Sequence, residues 1–336
     1  MGTVLSTEYM TLADWATVFE PDGTLKEIVE IMNESNNLIG QVPWREANGV
    51  FGHRLTVRSA LPAVSFRRFN RGIIATKSAR KEETVEIAHL TGLSLVDKDK
   101  VDRYGPADAR AKYRAQEDAA FIEAETQKAV TTFLYGNSAV NPDEFTGLSA
   151  KFGSLSGSTA GQIVNAGGFG SDNTSIWLVH WHPNDVYGVF PRGGRAGLDT
   201  EDLGIQLVAD TANGGYIPLY ATKFDWTLGL AVADYRQVAV ARNIDVSDLS
   251  ADISTGADLI DTCLQLIHKI NQQGRGRPTF LMHRDTLAML NRQAVNKSAT
   301  DRVRQVRGEN GVLRTEVFGI PVVTLDRMSK TEAAIS

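Results

Sequence analysis

Residues 47–81 read ANGVFGHRLTVRSALPAVSFRRFNRGIIATKSARK, and this stretch decides what kind of fold the chain can have. Leu55 and Val57 alternate with Arg54, Thr56 and Arg58, and Val64 and Phe66 resume the alternation, so residues 50–88 read as β structure. Asn70-Arg71-Gly72 can turn the chain, and Ile73 to Thr76 begin the return. Two arms of about 15 residues reach roughly 50 Å at about 3.3 Å per residue. A free two-stranded ribbon is marginal in water, so a ribbon this long needs a surface to lie on.

Its charge suggests which surface. The stretch holds eight basic residues, Arg54, Arg58, Arg67, Arg68, Arg71, Lys77, Arg80 and Lys81, and no Asp or Glu. The chain as a whole carries −5, so the rest holds 27 basic and 40 acidic residues, a balance of −13. A basic run of this kind can be a solvated face, a phosphate-binding surface or a contact with acidic protein. The acidic remainder weakens the nucleic-acid alternative, in which the ribbon 54–81 binds phosphates. Docking on an acidic neighbouring copy of the same chain accounts for both halves. These eight residues are the candidate inter-subunit contacts, because arginine's planar fork suits bidentate carboxylate pairing.

Working outward, residues 1–46 resemble an extended arm. Leu25, Ile28, Val29 and Met32 recur at helical spacing, Asn33 to Asn37 break it, and Pro43-Trp44 lead away irregularly. On the other side, 106–134 is the strongest helix. Pro106 suits a first turn, and Ala111, Ala115, Ala119, Ile122, Val130 and Phe133 form a packing stripe. Asp108–Lys112 and Arg114–Asp118 are placed to pair across a turn, and Gly136-Asn137 supplies a stop. Asn141 to Gly170 reads as irregular, Ile176–Trp181 and Val186–Phe190 as strands, and Gly193 to Gly204 as a loop. Phe224 to Val232 alternate bulky with mostly small residues, which predicts a strand covered on both sides. Leu259 to Ile270 is an amphipathic helix, Thr279–Met282 a strand, Thr286–Gln293 a helix and Ile320–Leu325 a last strand. The class is α+β, with segments that reach away from their own core.

Composition sets the outer bounds. With 336 residues, 42% hydrophobic and 22% charged, the chain can bury more than one core. No apolar run is long enough to cross a bilayer, and Met1–Thr24 lacks the layout of a secretory signal. The single Cys263 fits a chain made in a reducing cytosol.

Chemistry is sparse. Phosphate-cradling, dinucleotide-binding and zincin motifs are absent, so no cofactor is expected. His180 and His182, two apart on a strand with Asp185 near, are the best metal pair, yet no third His or Cys stands at ligand spacing. Cys263 falls on the apolar stripe of its helix, where cysteine is an inert core residue. Asp97/Asp99 and Asp199/Glu201/Asp202 sit in polar, turn-like sequence as solvated carboxylates. No catalytic residue or metal ligand is assigned, and the chain reads as a non-enzyme.

Three stretches carry a family resemblance. They are Thr132-Phe133-Leu134-Tyr135-Gly136-Asn137 with Asn141-Pro142 and Phe145-Thr146-Gly147-Leu148; Asp172 to Val179 with Phe190-Pro191 and Ala196-Gly197-Leu198; and Phe224 to Leu230 with Asp234, Arg236 and Arg242-Asn243-Ile244-Asp245. In this order the chain resembles the major capsid proteins of tailed bacteriophages with the Hong Kong 97-type coat fold. The resemblance implies an N-arm at 1–46, an E-loop at 47–86, a peripheral domain at 87–250 with spine helix 106–134 and the central strands, an axial domain at 251–319, and a C-terminal strand at 320–336 returning to the core. It implies an icosahedral shell of hexamers and pentamers around double-stranded DNA, held without sequence-specific binding. The implied partners are other copies of the chain, scaffolding and portal proteins and, in some relatives, a decoration protein, with assembly in the bacterial cytoplasm and no membrane. The unit like 255–293 follows the strands like 176–245 instead of preceding them, which suggests the permuted topology of some short-tailed phages. His182 stands where a glycine is usual. With no long, highly charged helical segment ahead of the arm, a separate scaffold is expected.

Overall fold

The computed structural model describes residues 38–49, 52–103, 106–209, 214–271, 276–297, 301–307 and 313–336. The helix expected around Leu25–Met32 lies outside them. In chain order the elements are β1 (Trp44–Glu46), β2 (Gly52–Ala60), β3 (Ala79–Glu86), β4 (Ala88–Asp97), α1 (Lys98–Asp102), α2 (Ala107–Tyr135), α3 (Leu148–Lys151), β5 (Ile163–Asn165), β6 (Asn173–Trp181), β7 (Val186–Phe190), β8 (Asp199–Ala209), β9 (Tyr216–Val232) and β10 (Val238–Asp245). There follow α4 (Leu259–Lys269), β11 (Arg277–Met282), α5 (Arg284–Asn296), β12 (Val303–Arg307), β13 (Leu313–Val317) and β14 (Ile320–Thr324). The class is α+β, as the sequence implied.

Two compact units divide the described chain. The smaller comprises His89–Ala129 and Gly197–Trp226. There the first part of β9 pairs antiparallel with β8, and Thr91 of β4 donates its hydroxyl to the Phe224 carbonyl at 3.1 Å. The helix lies on this sheet through Phe121, whose ring stacks on Phe224 with centroids 5.8 Å apart. This corrects the first part of the expected stripe: Ala111, Ala115, Ala119 and Ile122 face solvent, while Tyr113, Glu125 and Ala129 are buried, as are Val130 and Phe133, which the stripe had right. The aromatic residues have more apolar area to hide than the alanines, and they set the rotation of the helix. Arg114 reaches Asp202 across space at 3.0 Å, while its charge also acts on Asp118, the partner expected one turn on. Pro106 stands just outside the helix, its carbonyl accepting from Ala109 and Arg110.

The larger unit holds the main core. Its seven-stranded sheet runs β12-β13-β14-β11-β6-β10-β5, and β6 lies antiparallel between β10 and β11. All nine residues of β6 are buried because both faces are covered. Ile176 and Leu178 join Cys263, Leu266, Phe280 and Leu290 in one cluster, while Trp177 meets Phe152 edge-on at 5.9 Å. At about 25 cal/mol per Å² of apolar area removed from water, such a strand is a main source of stability.

The stretch from Tyr135 to Leu148 turns on two glycines. Gly136 ends the helix, and Gly147 donates its N–H to the Gly136 carbonyl at 2.8 Å. A Cβ on Gly136 would stand 2.4 Å from the Phe145 carbonyl oxygen, and one on Gly147 2.4 Å from that of Thr132. Only hydrogen-sized side chains allow the two backbones to cross so closely.

Three sequence expectations fail at the strands. Asn141 to Gly170 is not irregular throughout: it holds α3 and β5, which pairs parallel with β10. Gly193 to Gly204 is not loop throughout: β8 begins at Asp199 and runs eleven residues, with Gly204 at φ +71° forming a bulge. Pro43-Trp44 do not wander: β1 pairs parallel with β7, and Trp44 packs edge-on to Phe133 at 6.1 Å. The alternation of β9 holds from Phe224, but full cover on both faces begins only at Leu228.

Candidate functional site

The ribbon emerges from the larger unit as β2 paired antiparallel with β3. Its strands are nine and eight residues long, shorter than the expected arms. Pairing stops at Ala60 because Leu61-Pro62 follow, and proline lacks the N–H a ladder needs. Residues 61–78 continue without regular pairing and are almost wholly exposed. The Thr76 hydroxyl donates across to the Ala63 carbonyl at 2.7 Å. The chain reverses at Arg68–Arg71, one residue or so before the expected turn, with Asn70 left-handed at φ +61°.

The root is anchored by polar and apolar contacts together. Leu55 packs with Val85, Tyr187, Val189 and Ala231, on the face the alternation predicted. His53, 4% exposed, accepts the Asn48 N–H at Nδ1 (3.2 Å) and faces the Tyr187 hydroxyl with Nε2 at 2.9 Å. Burial, with the Arg45 charge, lowers its pKa, so the ring is neutral with its proton on Nε2.

All eight candidate contact residues are exposed and make no ion pair with a described residue. Arg58 lies directly opposite Arg80, a like-charge pair that disfavours the isolated ribbon. The basic run is less one-sided in space than in sequence. Glu82 faces Thr56 across the ladder, on the same side as Arg54 and Arg58, and Glu83 meets Lys151 at 3.7 Å. Further out the charge is unrelieved, and Leu61, Val64, Phe66, Phe69, Ile73 and Ile74 are each at least 77% exposed. So much apolar surface on a projecting segment marks a binding surface.

The chemical candidates come apart. His180 lines an apolar groove with Leu178, Ile267 and Ile320, whereas His182 turns to Asp185 at 3.2 Å. Among the described residues no group of three His, Cys, Asp or Glu could hold a metal ion. Burial pushes the Cys263 thiol up to about 12, which keeps it from forming a nucleophilic thiolate. Asp97 caps α1 through the Asp99 N–H at 2.9 Å. Asp199, Glu201 and Asp202 lie on a strand, a correction to the turn-like reading. The Gly204 N–H and Arg114 together hold the Asp202 carboxyl below the usual range.

Two polar sites had no sequence signal. Glu125 is buried with both carboxylate oxygens unbonded, and burial beside Asp225 raises its pKa to about 7. Arg242 and Glu332, 90 positions apart, form a buried pair.

The described chain is a two-unit α+β protein whose ribbon presents exposed basic and apolar side chains. Residues 20–336 match the family described as Major capsid protein GP7, and the chain belongs to that family. It is 26% identical to a chain in the structure of bacteriophage Epsilon15, covering 99% of each with a TM-score of 0.74. Fainter likenesses join it to the holo-SrpI encapsulin complex of Synechococcus elongatus PCC 7942 (13% identical, 67% of this chain and 93% of that one, TM-score 0.45) and to a chain of Mycobacterium phage Adephagia (10%, 69% and 97%, 0.44). No curated protein sequence matches. The chain is thus a bacteriophage major capsid protein of the Hong Kong 97-type fold. It is a structural subunit of the virion that assembles with its own copies into a shell, and not an enzyme.

Proposed function

We propose that the protein is the repeating subunit of an icosahedral shell of hexamers and pentamers enclosing double-stranded DNA. Residues 1–46 serve as the N-arm, 47–86 as the E-loop, 87–250 as the peripheral domain with its spine helix, 251–319 as the axial domain, and 320–336 as the strand returning to the core. Arg54, Arg58, Arg67, Arg68, Arg71, Lys77, Arg80 and Lys81 meet acidic residues of neighbouring copies. Heterologous contacts of this kind close into rings about symmetry axes, and modest contacts repeated across many copies add through multivalency. Scaffolding and portal proteins guide assembly in the host cytoplasm, and a decoration protein is an optional partner. The DNA is held without sequence-specific contacts.

The observation that carries this reading is the ribbon tip, whose exposed apolar and basic side chains find no partner among the described residues of their own subunit. Negative-stain microscopy and size-exclusion chromatography of the expressed protein, alone and with its neighbouring gene products, test it. Closed shells or rings of five and six subunits are expected. A chain that stays monomeric even with those partners would overturn the proposal.

A further inference from the structure

Basic charge gathers in a second stretch besides the ribbon. Residues 269–314 hold ten bases against three acids, Asp285, Asp301 and Glu309. With this stretch and 47–81 set apart, the rest of the chain has 17 bases and 37 acids, a balance of −20. The bases of 269–314 are scattered along the sequence, and the register of the larger sheet brings several of them to one face.

Val303 and Val317, paired across β12 and β13, both pack on the core cluster that holds Leu259, Cys263 and Leu290. Side chains alternate along a strand, so Arg304, Val306, Arg314 and Glu316 stand on the opposite face. Phe280 and Val322, paired across β11 and β14, also belong to the core side, which puts Arg277 on that opposite face as well. Arg302 precedes β12, where its carbonyl accepts the Phe318 N–H at 2.8 Å and extends the ladder by one bond. All four arginines are exposed. Three gaps between strands of about 4.8 Å spread them over roughly 14 Å.

On β11–β14 Glu316, half-buried, is the single acid of this face among the described residues. Arg304 donates from Nε to the Asp301 carbonyl at 2.9 Å, and none of the four makes an ion pair with a described residue.

The company these arginines keep separates this face from the ribbon. At the ribbon tip six large apolar side chains are exposed, whereas among the described residues of β11–β14 only Val306 is, at 38%. A contact between proteins draws on a desolvated apolar centre, and this face lacks one. A phosphate backbone asks only for cations, because the gain comes from releasing its condensed counterions. A four-stranded face is too broad to enter a major groove about 12 Å wide, so it meets the backbone and not the base edges.

We propose that this face of β11–β14 binds the phosphate backbone of double-stranded DNA through Arg277, Arg302, Arg304 and Arg314, and so is turned toward the interior of the shell. The inference rests on the reading of the protein as a shell subunit around DNA and names the surface that meets the duplex. The acidic balance elsewhere repels the duplex and confines contact to this patch.

Fluorescence anisotropy of the purified full chain with a mixed-sequence duplex of about 30 base pairs tests it, with salt raised from about 50 to about 200 mM. Four phosphate contacts give a slope of roughly −3.6 in log affinity against log salt, a loss on the order of 100-fold over that range. A chain carrying Arg277→Gln, Arg302→Gln, Arg304→Gln and Arg314→Gln should bind about tenfold or more weakly at the low end, with a slope shallower by about three to four. A chain carrying Arg67→Gln, Arg68→Gln and Arg71→Gln in the ribbon should keep the wild-type slope to within about one. Wild-type affinity and slope in the four-fold variant, or a loss seen in the ribbon variant instead, overturns the proposal. Tighter binding of poly-glutamate than of the duplex at equal charge would assign the face to an acidic protein and overturn it too. A second measurement does not depend on the glutamine variants: a benzophenone attached through Val306→Cys and irradiated in filled particles should crosslink to DNA. Crosslinks to protein alone contradict the assignment. A chain that binds the duplex as expected and yet builds no particles sinks the shell reading and not the phosphate-binding face, so the two failures are distinguishable.

Discussion

Arg242 Nη1 stands 3.1 Å from Glu332 Oε2, with the two side chains only 6% and 8% exposed. Around them Tyr135 donates its hydroxyl to Glu332 Oε1 at 2.7 Å, Ser175 donates to the same oxygen at 3.0 Å, and Arg242 lies 5.8 Å over the Trp177 ring. Glu332 also exchanges backbone bonds with Asn173, and Ile335 donates to the Asn243 side chain, so the last residues are stitched to β6 and β10. The buried pair fixes the C-terminal segment on the main core.

Removing one member should therefore cost more than removing both. Glu332→Ala leaves the Arg242 charge buried, an effect of about 3–5 kcal/mol. The paired change Arg242→Met with Glu332→Leu replaces ions by apolar groups of similar size and should cost clearly less. Urea unfolding of the purified subunit measures both. Equal losses would mean the pair contributes nothing specific.

Glu125 makes a pH prediction. Its carboxyl holds a proton up to about pH 7 in the folded chain, against an ordinary value of 4.5. The folded state then binds more protons than the unfolded one between these values. The stabilisation is complete below about pH 4.5 and is lost as pH rises to about 7. Glu125→Gln should remove this part of the slope and raise the unfolding midpoint above pH 7. Parallel curves for wild type and variant across pH 4–8 would refute the assignment.

His53 works in the opposite sense. Its folded pKa lies below 6.5, so its contribution is present above pH 6.5 and lost as pH falls. Protonation adds a hydrogen at Nδ1, where the Asn48 N–H now donates, and a charge near Arg45. Hydrogen exchange at Asn48 and Arg54 should accelerate as pH falls below 6.5 and His53 takes up its proton, after correction for the intrinsic rate. Protection unchanged to pH 5 would show that this histidine does not hold the ribbon root.

The parts legible in the sequence are those where one physical signal dominates. Val186–Phe190 was expected and found as such, and 106–134 became Ala107–Tyr135, because apolar periodicity and flanking breakers agree there. The rotation of that helix was misread, since an alanine stripe looks like a packing face until Tyr113 and Phe121 are weighed by area. Strand β8 was missed because nearly every residue is exposed, leaving no alternation, and its glycine and acids resemble a loop. The ribbon's basic character was visible, but the relief at Glu82 and Glu83 fell just past the window. The Arg242–Glu332 pair had no local signature at all, and the protonated state of Glu125 depends first on its burial and then on Asp225, 100 positions away.

The central claim is that the ribbon joins copies of the chain and does not bind the packaged genome. Replacing Arg54, Arg58, Arg67, Arg68 and Arg71 by glutamine tests it most directly, with shells imaged by negative stain at low salt. Exposed pairs contribute only about 0–1 kcal/mol each, so no single arginine decides, whereas five together should. The account predicts a folded subunit that forms few or no closed shells, and a wild-type chain whose assembly weakens as salt shortens the reach of charge from about 8 Å at physiological strength to about 3 Å at 1 M. Normal empty shells from the five-fold variant, with loss only of DNA packaging or retention, would contradict it.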